Sequence, residues 1–121
     1  MAAINFARIM GAATACYGLA VAARPSVLLA PCGWDDSDPG RRALARTTAF
    51  RDVASGLGML VAPTAPALRI AVAGRVLSDF SDAAVLGTTL RGRPQRGKAV
   101  AVAAGWGLLC AVAGVAATRA K

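Results

Sequence analysis

Histidine and glutamate are absent from this chain, and aromatic residues number only three Phe, two Trp and one Tyr in 121 residues. Without histidine, Ser55 and Ser78 cannot belong to a Ser-His-Asp triad, and a zinc or haem site loses its commonest ligand. The three cysteines, Cys16, Cys32 and Cys110, are far apart and form no C-x-x-C pair. An odd number of cysteines in mostly apolar sequence reads as free thiols in packed positions. No metal and no cofactor is therefore expected, and redox chemistry is disfavoured. The missing glutamate has a second consequence, because the outer faces of soluble helices usually carry it together with lysine. Instead 56% of the chain is hydrophobic, with a mean hydropathy of +0.53. Ala, Val, Gly and Leu dominate, a composition that suits a small helical membrane protein whose backbones approach closely.

The net charge of +8 matters less than its placement. Arg24, Arg41, Arg42 and Arg46 fall in one connection, and Arg91, Arg93, Arg96 and Lys98 in another. These clusters flank apolar segments and have no interleaved aromatics, so they argue against nucleic acid and for loops beside membrane spans. Contact of the second cluster with anionic lipid follows as a by-product. Counting loop charges expects connections 24–46 and 91–98 on the cytoplasmic side of the cell membrane and both termini outside, with Arg69, Arg119 and Lys121 opposing.

Along the chain, a first apolar segment covers about 4–23 and ends at Arg24-Pro25, since proline disfavours helix in the residue before it. The opening residues lack the basic start of a signal peptide beyond Arg8 and are read as a retained span. Ser26–Ala30 reads as a short interfacial helix with Trp34 at headgroup level. Asp35–Gly40 is a polar turn and helix start. Further segments cover about 41–62, 67–90 and 99–118, and the Pro63–Pro66 link is short enough to make the second and third antiparallel neighbours. By charge alone only 99–118 meets the plain criterion for a span. The expected fold is all-α: one domain, 1–121, forming a four-helix transmembrane bundle with short connections.

Asp52, Asp79 and Asp82, half of all the acidic residues, lie inside these segments. Each charge in lipid costs roughly 2.5–3.5 kcal/mol on insertion scales. Arg75, Asp79 and Asp82 are spaced i, i+4, i+7, within a stripe of about 60° at 100° per residue. On the preceding segment Thr48, Asp52, Ser55 and Met59 form a similar stripe, with Arg51 beside it. Arg8 shares a side of the first segment with Gly11, Ala12 and Ala15. These stripes are expected to converge as a neutral cluster of three arginines and three aspartates. Two carboxylates a turn apart repel, so Asp79 and Asp82 are expected to share a proton near neutral pH. Gly56-Leu57-Gly58 lacks the strand–turn–helix setting of a dinucleotide loop and reads as a close-packing site. Trp106 is a packing residue or a cavity wall, and Tyr17 a minor proton-donor candidate.

The positions Arg8, Arg51-Asp52, Gly56-Leu57-Gly58, Arg75, Asp79 and Asp82 together resemble the small DoxX-like four-helix membrane families, many of whose members have no assigned function. The resemblance implies a compact bundle with a polar interior and no particular reaction.

Two functions compete. One is acid–base catalysis on a lipophilic substrate without cofactor: epoxide opening or hydrolysis, cyclisation or isomerisation. Asp79 and Asp82 would then be the acid–base pair, Arg75 the orienting residue and Asp52 the opposing wall, with Arg51, Arg8, Tyr17, Ser55, Met59 and Trp106 around the substrate. The other is a structural or accessory membrane subunit whose Arg–Asp pairs specify helix packing, with homo-oligomerisation through Gly/Ala-rich faces. A proton or solute conduit is a third reading, weakened by the lack of an inverted repeat.

Overall fold

The computed structural model describes residues 2–119. In chain order the elements are α1 (Ala2–Ala23), the short α2 (Ser26–Leu29), a 3-10 turn (Ala30–Cys32), α3 (Pro39–Val61), α4 (Ala65–Thr89) and α5 (Arg96–Arg119). No strand occurs among the described residues.

Two helix starts follow from local chemistry. Asp38 caps α3, its Oδ2 accepting from the Arg41 amide at 2.9 Å, with Pro39 in the first turn. Thr64 caps α4, its Oγ1 accepting from the Ala67 amide at 3.2 Å, with Pro66 in the first turn. Each side chain satisfies an amide that the helix leaves free, and each proline sits where no amide is needed. Ahead of α3, Ser37 donates through both hydroxyl and amide to Asp35 Oδ1, which holds the Asp35 carboxyl below its ordinary pKa. The α5 helix begins earlier than the expected 99, drawing Arg96 and Lys98 into its first turn.

The four long helices pack side by side in the ring α1–α3–α4–α5. The α1–α3 and α4–α5 pairs are the closest, and α3 meets α4 more sparingly. Glycine explains the first pair. A Cβ on Gly56 would lie 2.5 Å from the Gly11 carbonyl oxygen, and one on Gly11 would lie 2.6 Å from the Gly56 carbonyl oxygen. The same approach recurs at Gly18 against the Ala49 carbonyl. On the other pair, Gly107 receives Asp79 and Phe80 while Gly114 receives Val72. Gly58 is different, since a Cβ there would meet only Ala71 at an ordinary 3.7 Å.

Two apolar clusters fill the interior. Near the end formed by the 62–64 link lie Ala7, Met10, Met59, Leu68, Val72, Cys110 and Ala113. At the opposite end lie Val21, Leu29, Ala45 and Ala49, with Trp34 packed against them. That second end also gathers the 24–38 and 90–95 connections, where Arg93 donates to the Gly33 carbonyl and Arg41 stacks over Trp34. Burial raises the Cys32 thiol pKa there. Cys32 and Cys110 are buried and Cys16 is exposed, all three as free thiols.

Two helices, α1 and α5, are long and apolar enough to cross a membrane, with mean hydropathies of 1.4 and 2.1 over an 18-residue window. The α1 helix joins the expected 99–118 run because Arg8 is its single charge. Charge keeps α3 and α4 below that threshold, yet both also turn large apolar side chains outward. Phe50 and Val61 on α3, and Ile70 and Leu77 on α4, are 62%, 67%, 74% and 70% exposed. Arg75, by contrast, is 1% exposed.

Candidate functional site

The buried charges lie between the two apolar clusters, where α3 and α4 face each other. Arg75 stands about 15 Å from the start of α4 and about 21 Å from its end at 1.5 Å per residue. Its neighbours come from the stripes on both helices. Arg75 Nε and Nη2 donate to Asp79 Oδ2 and Oδ1 at 3.2 and 2.8 Å, the i, i+4 pairing expected from the spacing. Nη1 reaches across to α3, donating to Asp52 Oδ1 at 2.7 Å and Ser55 Oγ at 2.8 Å. The Ser55 hydroxyl in turn donates to the Asp52 carbonyl at 3.3 Å.

A second guanidinium extends the network outward. Arg51 grips Asp82 with two parallel bonds, Nη1 to Oδ1 at 2.9 Å and Nη2 to Oδ2 at 2.6 Å. Nη2 also donates to Asp52 Oδ1 at 3.2 Å. Such bidentate pairs are the strongest form of charge-assisted hydrogen bond. Five of the six carboxylate oxygens thus accept from a guanidinium, Asp52 Oδ2 being the exception. Arg51 Nε is buried without an acceptor. The inner part, Asp52, Arg75 and Asp79, is buried, whereas the side chains of Arg51 and Asp82 retain 37% and 30% exposure.

The structure brings together Asp52, Asp79, Asp82, Arg75, Arg51 and Ser55, and leaves the other expected site residues outside. Arg8 is exposed, and its guanidinium donates to the Ala62 carbonyl at 3.3 Å, beyond the last turn of α3. It lies too near the start of α1 to reach mid-helix. The network is therefore two arginines against three aspartates, a formal charge of 2 − 3 = −1 if all are ionised, rather than the neutral set of six. Asp79 and Asp82 hold separate guanidiniums, and no hydrogen bond joins the two carboxyls. Met59 belongs to the apolar cluster. Tyr17 is half-exposed on α1, near enough to Asp52 and Asp82 to feel their charge but hydrogen-bonded to neither.

Trp106 forms a different link. Its indole Nε1 donates to Thr14 Oγ1 at 2.9 Å, and the Thr14 hydroxyl donates to the Met10 carbonyl at 2.8 Å. This ties α5 to α1 with both side-chain polar groups satisfied. Sequence reasoning overlooked Thr14 as a partner, because one threonine in an apolar helix carries no signal until the opposite indole is placed.

Two surface grooves lie elsewhere: one between the C-terminal part of α4 and the start of α5, the other on the outer face of α5 around Val112 and Val115. Among the described residues, no group of three or more His, Cys, Asp or Glu could hold a metal ion.

Fold and site together define an all-helical protein with two helices of membrane-spanning length and apolarity and a buried arginine–aspartate network between two others. Comparison with protein-family models, curated sequences and solved structures finds no significant match for this chain.

Proposed function

We propose that the protein is an integral membrane four-helix bundle, of the DoxX-like kind its sequence resembles, in which the arginine–aspartate network is a structural clamp joining α3 to α4. It would serve as a structural or accessory membrane subunit. The observation that carries this reading is an inversion of the soluble pattern: large apolar side chains are exposed on all four long helices while Asp52, Arg75 and Asp79 are buried. Lipid favours that arrangement, because intramembrane charges turn to the bundle interior and pair there. The clamp falls where helix contact is sparsest, and it consumes nearly every acceptor that catalysis would need free.

Paired single and combined substitutions test the clamp. Breaking a buried pair by removing one partner costs about 3–5 kcal/mol, whereas replacing the whole set by apolar residues is often neutral or stabilising. Asp79→Asn and Arg75→Met should each lower the melting temperature in detergent, and the combined Asp52→Leu/Arg75→Met/Asp79→Leu protein should recover it. Unchanged melting in the single variants would remove the clamp.

A second reading, acid–base catalysis on a lipophilic substrate, is favoured by one observation. The outer pair Arg51–Asp82 is partly exposed, within lateral reach of a lipid-dissolved molecule. Mass spectrometry of the purified protein discriminates. An epoxide, polyene or similar lipophile co-purifying with the native chain but not with Asp82→Asn favours the enzyme.

A further inference from the structure

The groove between α4 and α5 has a feature the clamp does not use. It encloses about 460 Å³ and is lined on one side by Ala83, Ala84, Gly87 and Thr88, and on the other by Gly97, Val100 and Ala101. Arg91 and Arg96 complete its lining. The other lining side chains are apolar except for the Thr88 hydroxyl, which is turned back to the Ala84 carbonyl of its own helix at 2.8 Å. Arg96 is held in place because its Nε donates to the Gly87 carbonyl at 2.6 Å, which leaves Nη1 and Nη2 without protein acceptors among the described residues. Arg91 is exposed and its guanidinium has no protein acceptor among the described residues either. The amides of Gly97 and Lys98 donate to no backbone carbonyl outside the helix, so the positive end of α5 adds to the same spot. A Cβ placed on Gly97 would meet nothing within 4 Å.

We propose that this groove binds one anionic phospholipid. Its phosphodiester would lie between the guanidiniums of Arg91 and Arg96, and the start of an acyl chain would lie over Ala84, Val100 and Ala101. Charge selects the occupant: two guanidiniums beside an otherwise apolar lining match a negative headgroup with a hydrocarbon tail. Arg91, Gly97 and Ala101 are exposed, so the groove opens sideways onto the faces that carry Val85 and Val102. The proposal rests on the membrane reading above but does not require the clamp.

The test uses the full chain purified in non-ionic detergent. Native mass spectrometry follows retention of phosphatidylglycerol, of phosphatidylcholine with the same acyl chains, and of glycerol 3-phosphate alone. Phosphatidylglycerol should be retained roughly tenfold over phosphatidylcholine, with glycerol phosphate not retained. Arg91→Gln/Arg96→Gln should abolish that preference. Gly97→Leu, whose Cβ enters open space beside the groove, should displace the lipid while leaving the charges in place. Arg119→Gln, at the far end of α5, should retain it. Equal retention of the two lipids, binding of the headgroup alone at similar strength, or unchanged selectivity in Gly97→Leu would each overturn the proposal. Failure of the membrane reading shows separately, as extraction of the expressed protein from membranes by alkaline carbonate.

Discussion

At the scale of single residues the interior of this protein is decided by what each group has lost from water. Arg75 has all its Nε and Nη groups committed to Asp52, Asp79 and Ser55. Arg51 carries a comparable load but remains partly exposed. Arg75→Met leaves two carboxylates buried without their main partner and should destabilise by about 3–5 kcal/mol. Arg51→Met removes a guanidinium that, with its partner Asp82, keeps 37% and 30% exposure, so less of the network is left buried and unpaired, and it should cost less than half as much. Thermal melting in one detergent ranks the two, and a larger loss for Arg51→Met would contradict the burial order. Glycines sort by the same logic. Gly56→Ala drives a methyl into the Gly11 backbone and should cost about 1–3 kcal/mol by overpacking. Gly58→Ala meets ordinary space and gains up to about 1 kcal/mol of helix propensity. If both changes shift the melting temperature alike, the α1–α3 crossing is not as close as these contacts require.

At the scale of elements the caps offer a direct measurement. Asp38→Ala and Thr64→Ala each remove the single side-chain acceptor at a helix start, and each should cost about 1 kcal/mol. Faster hydrogen exchange should appear at the Arg41 and Ala67 amides in particular. Much of this level is legible in the sequence. Pro25 and Pro63 punctuate the chain, Asp38-Pro39 announces α3, and the i, i+4 spacing of Arg75 and Asp79 is enough by itself to put them within reach of each other. What is not legible is which helix faces which. Residue number does put Arg8 near the start of α1, away from mid-bundle, but spacing does not say that its guanidinium finds the Ala62 carbonyl. Nor can spacing show that Asp82 takes Arg51 instead of competing with Asp79 for Arg75. That choice depends on how α3 and α4 rotate about their axes, while the close approaches at Gly11, Gly18 and Gly56 join α3 to α1 and those at Gly107 and Gly114 join α4 to α5.

At the scale of the whole molecule, charge is distributed by end. Arg24, Arg41, Arg42, Arg46, Arg91, Arg93, Arg96 and Lys98 gather where α1 and α4 finish and where α3 and α5 begin. The other end carries Arg8, Arg69 and Arg119 among the described residues. Eight basic residues against three should hold the first end on the cytoplasmic side of a bilayer, since lysine and arginine close to span ends set orientation. The antiparallel order of the four long helices then puts the 62–64 link outside. A protein with Cys16, Cys32 and Cys110 replaced by alanine, carrying either Ser37→Cys or Thr64→Cys, reads this directly. In intact cells a membrane-impermeant thiol reagent should label the residue-64 variant and spare the residue-37 variant, and detergent should expose both. The reverse pattern would mean that the acidic turn Asp35–Asp38 outweighs the arginines around it. Labelling of both variants without detergent would mean that the four helices do not cross the membrane, and the inward-facing charges would then need an explanation other than lipid.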